Sequence, residues 1–155
     1  MPNSDINCSQ NGLDGIRILG KESDYYNNLI KGNGDDGICV WKHDNNTITS
    51  NIVEGNTGYG LFIEQYQSYI GMVVDNRIYG NNFVNNSAGN QALDEEINNE
   101  WNSTTIGNYW NDHISPDSNQ DGIVDIPYIV NLTRNISDER PSTTPFPINV
   151  GLSLI

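Results

Sequence analysis

Asn11-Gly12-Leu13-Asp14-Gly15-Ile16-Arg17-Ile18 recurs as Asn33-Gly34-Asp35-Asp36-Gly37-Ile38-Cys39-Val40, and again as Asn56-Thr57-Gly58-Tyr59-Gly60-Leu61-Phe62-Ile63. The period is 22 to 23 residues. Self-similarity of that length marks a stacked architecture, because one repeat cannot bury its apolar face alone. Within each repeat the aliphatic residues alternate, as in Ile16-x-Ile18, Ile38-x-Val40 and Leu61-x-Ile63. Alternation of period two turns these side chains inward on short strands and leaves Arg17, Cys39 and Phe62 outward.

A second strand precedes each turn, where Asn28-x-Ile30-x-x-Asn33 aligns with Asn51-x-Val53-x-x-Asn56. The same pattern appears at Asn46-x-Ile48 and at Asn76-x-Ile78-x-x-Asn81-x-Phe83-x-x-Asn86. No window carries the i, i+3, i+4, i+7 stripe of a helix. Short strands joined at Asn and Gly corners describe one coil of a parallel β-helix, each coil ~4.8 Å above the last. Asn and Gly tolerate positive φ at sharp corners, and equivalent Asn side chains can bond from coil to coil. That accounts for 25 Asn in 155 residues, which disorder would not place in register with Ile, Leu and Val. The fold class expected is all-β: a single-stranded parallel β-helix with an irregular C-terminal cap. Residues 1–97 form the coils and 98–155 the cap, within one structural domain. The third coil carries about seven extra residues, with Gln65-Tyr66-Gln67-Ser68-Tyr69 as the protrusion.

Net charge is −13 with only seven basic residues, and these are scattered. Nucleic acid and anionic membrane surfaces both require clustered Lys and Arg, so both are disfavoured. No apolar run reaches the roughly 18 residues of a membrane span. Met1-Pro2-Asn3-Ser4-Asp5 lacks the basic and apolar regions of a signal peptide. Sequons at Asn7, Asn45, Asn85, Asn102, Asn131 and Asn135 are weak evidence for export in so Asn-rich a chain. Repeat alignment puts Cys8 inward and Cys39 outward and exposed, so both are expected as free thiols.

After residue 97 the period stops and another signature begins. It runs Trp101-Asn102, Gly107-Asn108-Tyr109-Trp110-Asn111-Asp112 and Asp117-Ser118-Asn119-Gln120-Asp121-Gly122-Ile123-Val124-Asp125-Ile126-Pro127-Tyr128. Trp101 and Trp110 suit the closing of an open coil end. With the repeats, this block resembles the right-handed parallel β-helix family typified by NosD, whose repeats also occur in carbohydrate-binding and sugar-hydrolase surface proteins. The resemblance implies a right-handed solenoid and an extracellular or periplasmic location. It also implies that the chain corresponds to the last coils of a longer stack, with stacking on further coils or another copy open at the first coil.

The best metal candidate is Asp117, Asn119, Asp121, Ile123 and Asp125. Oxygen donors at loop positions 1, 3, 5, 7 (backbone) and 9, with Gly at 6, suit a calcium ion that fastens the cap. Position 12 is Tyr128 rather than Glu, so a remaining ligand would come from Asp112 or Asp138. Trp41, Phe62, Tyr66 and Tyr69 are candidate carbohydrate platforms, since flat ring faces suit sugars. Glu22, Asp44 and Glu64 are the weaker catalytic candidates, for a glycoside hydrolase or polysaccharide lyase. Copper handling, which the resemblance suggests, has only His43, His113, Met72 and the two cysteines as soft donors, without paired spacing. The residues favour a non-catalytic structural or recognition module with carbohydrate as its ligand.

Overall fold

The protein is described here from a computed structural model covering residues 3–41, 44–65, 73–86 and 89–151. Twelve short strands wind through the coils: β1 (Asn3–Ser4), β2 (Asn7–Ser9), β3 (Ile16–Ile18), β4 (Asp24–Tyr26), β5 (Leu29–Lys31) and β6 (Ile38–Val40). They continue as β7 (Thr47–Thr49), β8 (Ile52–Glu54), β9 (Leu61–Ile63), β10 (Arg77–Tyr79), β11 (Asn82–Val84) and β12 (Ala92–Asp94). The cap adds β13 (Tyr109–Trp110), β14 (Tyr128–Asn131) and β15 (Ile136–Asp138). Three parallel sheets wrap one core, in the orders β1-β4-β7-β10, β13-β11-β8-β5-β2 and β12-β9-β6-β3; β14 and β15 pair separately and antiparallel. This is a parallel β-helix, as the repeat requires. No helix among the described residues is long and apolar enough to cross a membrane.

Register makes the aliphatic columns explicit. Ile16, Ile38, Leu61 and Ala92 stack in one, and Cys8, Ile30, Val53, Phe83 and Trp110 in another. A third runs Tyr25, Ile48, Ile78. Each fully buried aliphatic side chain contributes about 1.5–3 kcal/mol relative to exposure. Trp110 closes the stack, its ring 4.5 Å from Phe83 and 3.9 Å from Tyr128, nearly parallel to both.

The corners divide their work between two residues. An outer residue takes positive φ, as at Asn27, Ser50 and Gly80, or Gln10, Gly32, Gly55 and Asn85. The next residue is the inner one, and at all but Asn11 it is a buried Asn that bonds to the coil above. Asn28 donates its backbone and side-chain N–H to Asn51 Oδ1 at 3.0 and 2.9 Å. Asn51 does the same to Asn81, and Asn81 to Asn108. A second ladder runs Asn11, Asn33, Asn56, Asn86 and ends on Gln91 Oε1. The third runs Ser23, Asn46, Asn76, Asn99.

Every rung donates toward the C-terminal end, so two ladders finish on carboxylates. Asn108 donates to Asp138 Oδ2 at 2.6 Å, and Asn99 Nδ2 to both oxygens of Asp94 at 3.2 Å. The same two aspartates accept the indole N–H of Trp110 and of Trp101. Among the described residues, no buried side-chain nitrogen or oxygen lacks a partner. The close approach of coils also explains Gly15, Gly37 and Gly60: a Cβ on Gly37 would fall 2.6 Å from the Gly60 carbonyl oxygen.

Beyond Ser142, which donates its N–H to Asn108 O, the chain returns along the outside of the β2-containing sheet. Phe146 exchanges backbone bonds with the Asn82 side-chain amide at 2.8 and 2.9 Å. Gly151 reaches Asp5 in the first coil, where a Cβ would fall 2.8 Å from its carboxylate.

One expectation is corrected. Cys39 faces outward on β6 but is only 2 % exposed, because Arg17 and Phe62 flank it in register while Asp14 and Glu64 close over it. Both cysteines are free thiols.

Asn51→Ala would remove the acceptor of the Asn28 backbone and side-chain N–H groups, the side-chain donor to the Tyr25 and Thr49 carbonyls, and one of the two N–H donors to Asn81 Oδ1, in a fully buried site. At about 1–3 kcal/mol per orphaned group, the variant should lose roughly 3 kcal/mol or more by urea unfolding. A loss under about 1 kcal/mol would show that the rungs do not hold the coils.

Candidate functional site

A cleft of about 340 Å³ opens on the outer face of the β3–β6–β9 sheet, lined by Asp14, Arg17, Asp35, Asp36, Cys39, Gly58, Tyr59, Phe62 and Glu64. The repeat builds it: Asp14, Asp36 and Tyr59 each precede the glycine that opens an inward-packed strand. Asp14 Oδ1 accepts the Asp36 N–H at 3.3 Å, and Asp36 Oδ1 accepts the Tyr59 N–H at 2.7 Å. Gly58 lies against that carboxylate, where any Cβ would collide with it. One oxygen each from Asp14, Asp35 and Asp36 lies within 4.8 Å of the others.

Arg17 is already engaged. Its guanidinium holds Asp14 at 2.7 Å and sits 5.4 Å from the Trp41 ring centroid. Phe62 lies 5.5 Å from Tyr59, tilted by 37°. The cleft thus joins an aromatic corner to four carboxylates and one committed cation. Burial pushes the Asp36 carboxyl up to about 6, opposed by the Tyr59 N–H and reinforced by Asp35, Asp14 and Glu64. Burial also pushes the Cys39 thiol up to about 12, with Asp14 adding to it, so Cys39 is no nucleophile there.

Of the residues expected from sequence, Phe62 and Glu64 line this cleft and Trp41 stands beside it under Arg17. Tyr66 and Tyr69 lie outside the described residues. Glu22 and Asp44 belong to the next corner, where the Glu22 N–H bonds the Asp44 carbonyl and the Asp44 carboxylate accepts the Val74 N–H. Sequence reading missed Asp14, Asp35, Asp36 and Tyr59; the recurring residue before each glycine was the available signal.

In the 117–125 loop the side chains turn onto backbone N–H groups. Asp117 accepts from Asp121 and Gly122, Asn119 from Asp121, Asp121 from Ile123, and Asp125 from Ser118. Asp138, considered as a further calcium ligand, is fully buried at the end of its ladder, and Asp112 bonds Gln91 and Tyr128. His113 is half-buried, its Nε2 2.7 Å from the Ile126 carbonyl.

Residues 3–114 match the family model described as periplasmic copper-binding protein (NosD). The chain belongs to that family. No curated protein and no solved structure matches it. The NosD match spans the coils, the cleft and the Trp110 closure, and the family's description is of periplasmic proteins.

Asp36 and Asp138 both rise from 3.8 to about 6 on folding, burial being the main cause. Between those values the native state binds more protons than the unfolded chain, so stability falls as pH rises through the window. Melting should occur at higher temperature near pH 4.5 than near pH 7.5, and Asp36→Asn should flatten part of that difference. A melting temperature that rises across the window would contradict the burial of these acids.

Proposed function

We propose that this NosD-family chain is a non-catalytic periplasmic β-helix module that recognises a carbohydrate across the cleft on the β3–β6–β9 face. The supporting observation is the pairing of Tyr59 and Phe62 rings with Asp14, Asp35, Asp36 and Glu64 in one concave site. Ring faces cover the apolar side of a sugar, and carboxylates accept its hydroxyl hydrogens. The volume lies at the lower end of ligand pockets, enough for a short oligosaccharide segment. Because Arg17 is bound to Asp14, a neutral sugar suits the site better than an acidic one. In a glycan array followed by calorimetry, Phe62→Ala should weaken binding by about tenfold, the scale of one aromatic contact. Unchanged affinity would remove the cleft from the reading, and product release from the bound glycan would turn it into an enzyme.

Copper, named in the family description, is not matched by an assembled donor set among the described residues. Cys8 points into the first-coil core, Cys39 is sealed beneath carboxylates, and His113 is committed to a carbonyl. His43 and Met72 lie outside the described residues.

Calcium at Asp117, Asn119, Asp121, Ile123 and Asp125 belongs to the same proposal as a fastener of the cap. The carboxylates that accept N–H bonds there retain lone pairs for a hard cation. Millimolar calcium should raise the melting temperature relative to chelator, and Asp121→Ala should abolish the difference. Identical melts would discard the ion.

A further inference from the structure

The cleft on the β3–β6–β9 face carries more negative charge than its own residues neutralise. Asp14, Asp35, Asp36 and Glu64 line it, against Arg17 alone. Arg17 is committed to Asp14 at 2.7 Å, so the other three carboxylates have no cation among the residues lining the cleft.

Asp36 is the most informative of them. It is only 7 % exposed, and its Oδ1 accepts the Tyr59 N–H. Among the described residues no hydrogen bond or ion pair reaches its Oδ2. No unpartnered side-chain oxygen there is sealed from solvent, so Oδ2 opens into the cleft that Asp36 lines. A carboxylate oxygen held this deep without a protein donor is an acceptor that a ligand can serve.

Its neighbours select the donor. One oxygen each from Asp14, Asp35 and Asp36 lies within 4.8 Å of the others. An ammonium group has three N–H donors at tetrahedral angles, and at ~2.8 Å from each acceptor it spans oxygens about 4.6 Å apart. A sugar hydroxyl brings one donor and no charge, which leaves the carboxylates repelling one another. Tyr59 and Phe62, their ring centroids 5.5 Å apart, add faces that attract a cation as well as cover a sugar ring. A hard metal ion would gain nothing from those rings and would sit beside the guanidinium that Asp14 already holds.

We infer that the cleft selects an amino sugar, its protonated amine seated on Asp14, Asp35 and Asp36 and its ring against Tyr59 and Phe62. This rests on the carbohydrate reading of the same cleft and narrows the ligand to cationic saccharides.

The test is calorimetry at about pH 6.5, below the ordinary range of an amine. The ligands are β-linked oligomers of equal length built from glucosamine, N-acetylglucosamine or glucose. The glucosamine oligomer should bind about tenfold or more tightly than the other two, the scale of one charge-assisted bond. Burial raises the Asp36 carboxyl to about 6, and Asp35, Asp14 and Glu64 raise it further against the Tyr59 N–H. Seating an ammonium there should release protons, read as a heat that depends on the buffer, whereas the N-acetylated oligomer should release none. Asp36→Asn keeps an acceptor for the Tyr59 N–H while removing the charge, and should bring the preference for the amine close to unity. Asp35→Asn, at an exposed side chain, should cut it severalfold. A preference that survives both substitutions would reflect the −13 of the whole chain and overturn the inference. Equal affinity for the three oligomers would overturn it too and leave the carbohydrate reading standing, whereas binding of none would overturn both. Loss of amine binding in micromolar calcium would give the three aspartates to a metal ion and overturn the inference as well.

Discussion

The asparagine rung is the constraint on which the rest of the molecule depends. A coil of three short strands has little apolar area, and its corners expose backbone N–H groups that must find acceptors in the adjacent coil. One side-chain oxygen per corner accepts a backbone and a side-chain N–H together. The amide carrying that oxygen passes the same pair of donors onward. Alignment of these dipoles along the stack gives the ladder a direction, with donors leading toward the cap. Two of the three ladders end on buried aspartates, and the other on Gln91, whose own amide donates onward to the Asp112 carboxylate. Burial of the two aspartates would be costly in isolation. Here each accepts from the ladder and from an indole, so the charge-accepting group also fixes the orientation of a capping tryptophan.

That logic bears on what was legible in the amino-acid sequence. The aliphatic columns were, because Ile16, Ile38 and Leu61 repeat at nearly fixed spacing and alternate with outward residues. The rungs were too, even across the insertion, since Asn51 and Asn81 keep their context although 30 residues separate them. Asp94 and Asp138 were not. Asp94, a lone acid in a chain of −13, reads as solvated surface, and Asp138 reads as a possible calcium ligand; their core positions follow only once a ladder needs an acceptor. Cys39 shows the converse limit. Period two correctly turned it outward, but exposure depends on what Phe62 and the Arg17–Asp14 pair do around it.

The cleft was half legible for a related reason. Phe62 stands at an outward position of β9 and Glu64 immediately follows the strand, both at places that alternation identifies. Asp14, Asp36 and Tyr59 stand two residues before the strand, ahead of its leading glycine, where no periodic rule speaks, and Tyr59 breaks the chemical likeness of the column. Their convergence is a product of stacking: residues 22 and 23 apart in sequence become neighbours because successive turns superimpose. A solenoid of this kind gathers like side chains into a line without any long-range design of the site, so one acidic position repeated becomes a concentrated carboxylate face.

The returning C-terminal segment gives the stack a mechanical property that repeats alone lack. A solenoid whose turns touch only their neighbours can fray one turn at a time. Here a single length of backbone is knotted to the Asn82 amide near one end and laid against Asp5 at the other. It crosses the turns as a guy-rope crosses the courses of a mast. Peeling away the first turn must also loosen the rope, and loosening the rope unseats its anchorage beside the closing tryptophan. The two extremities therefore share one fate, and the turns between them come apart together.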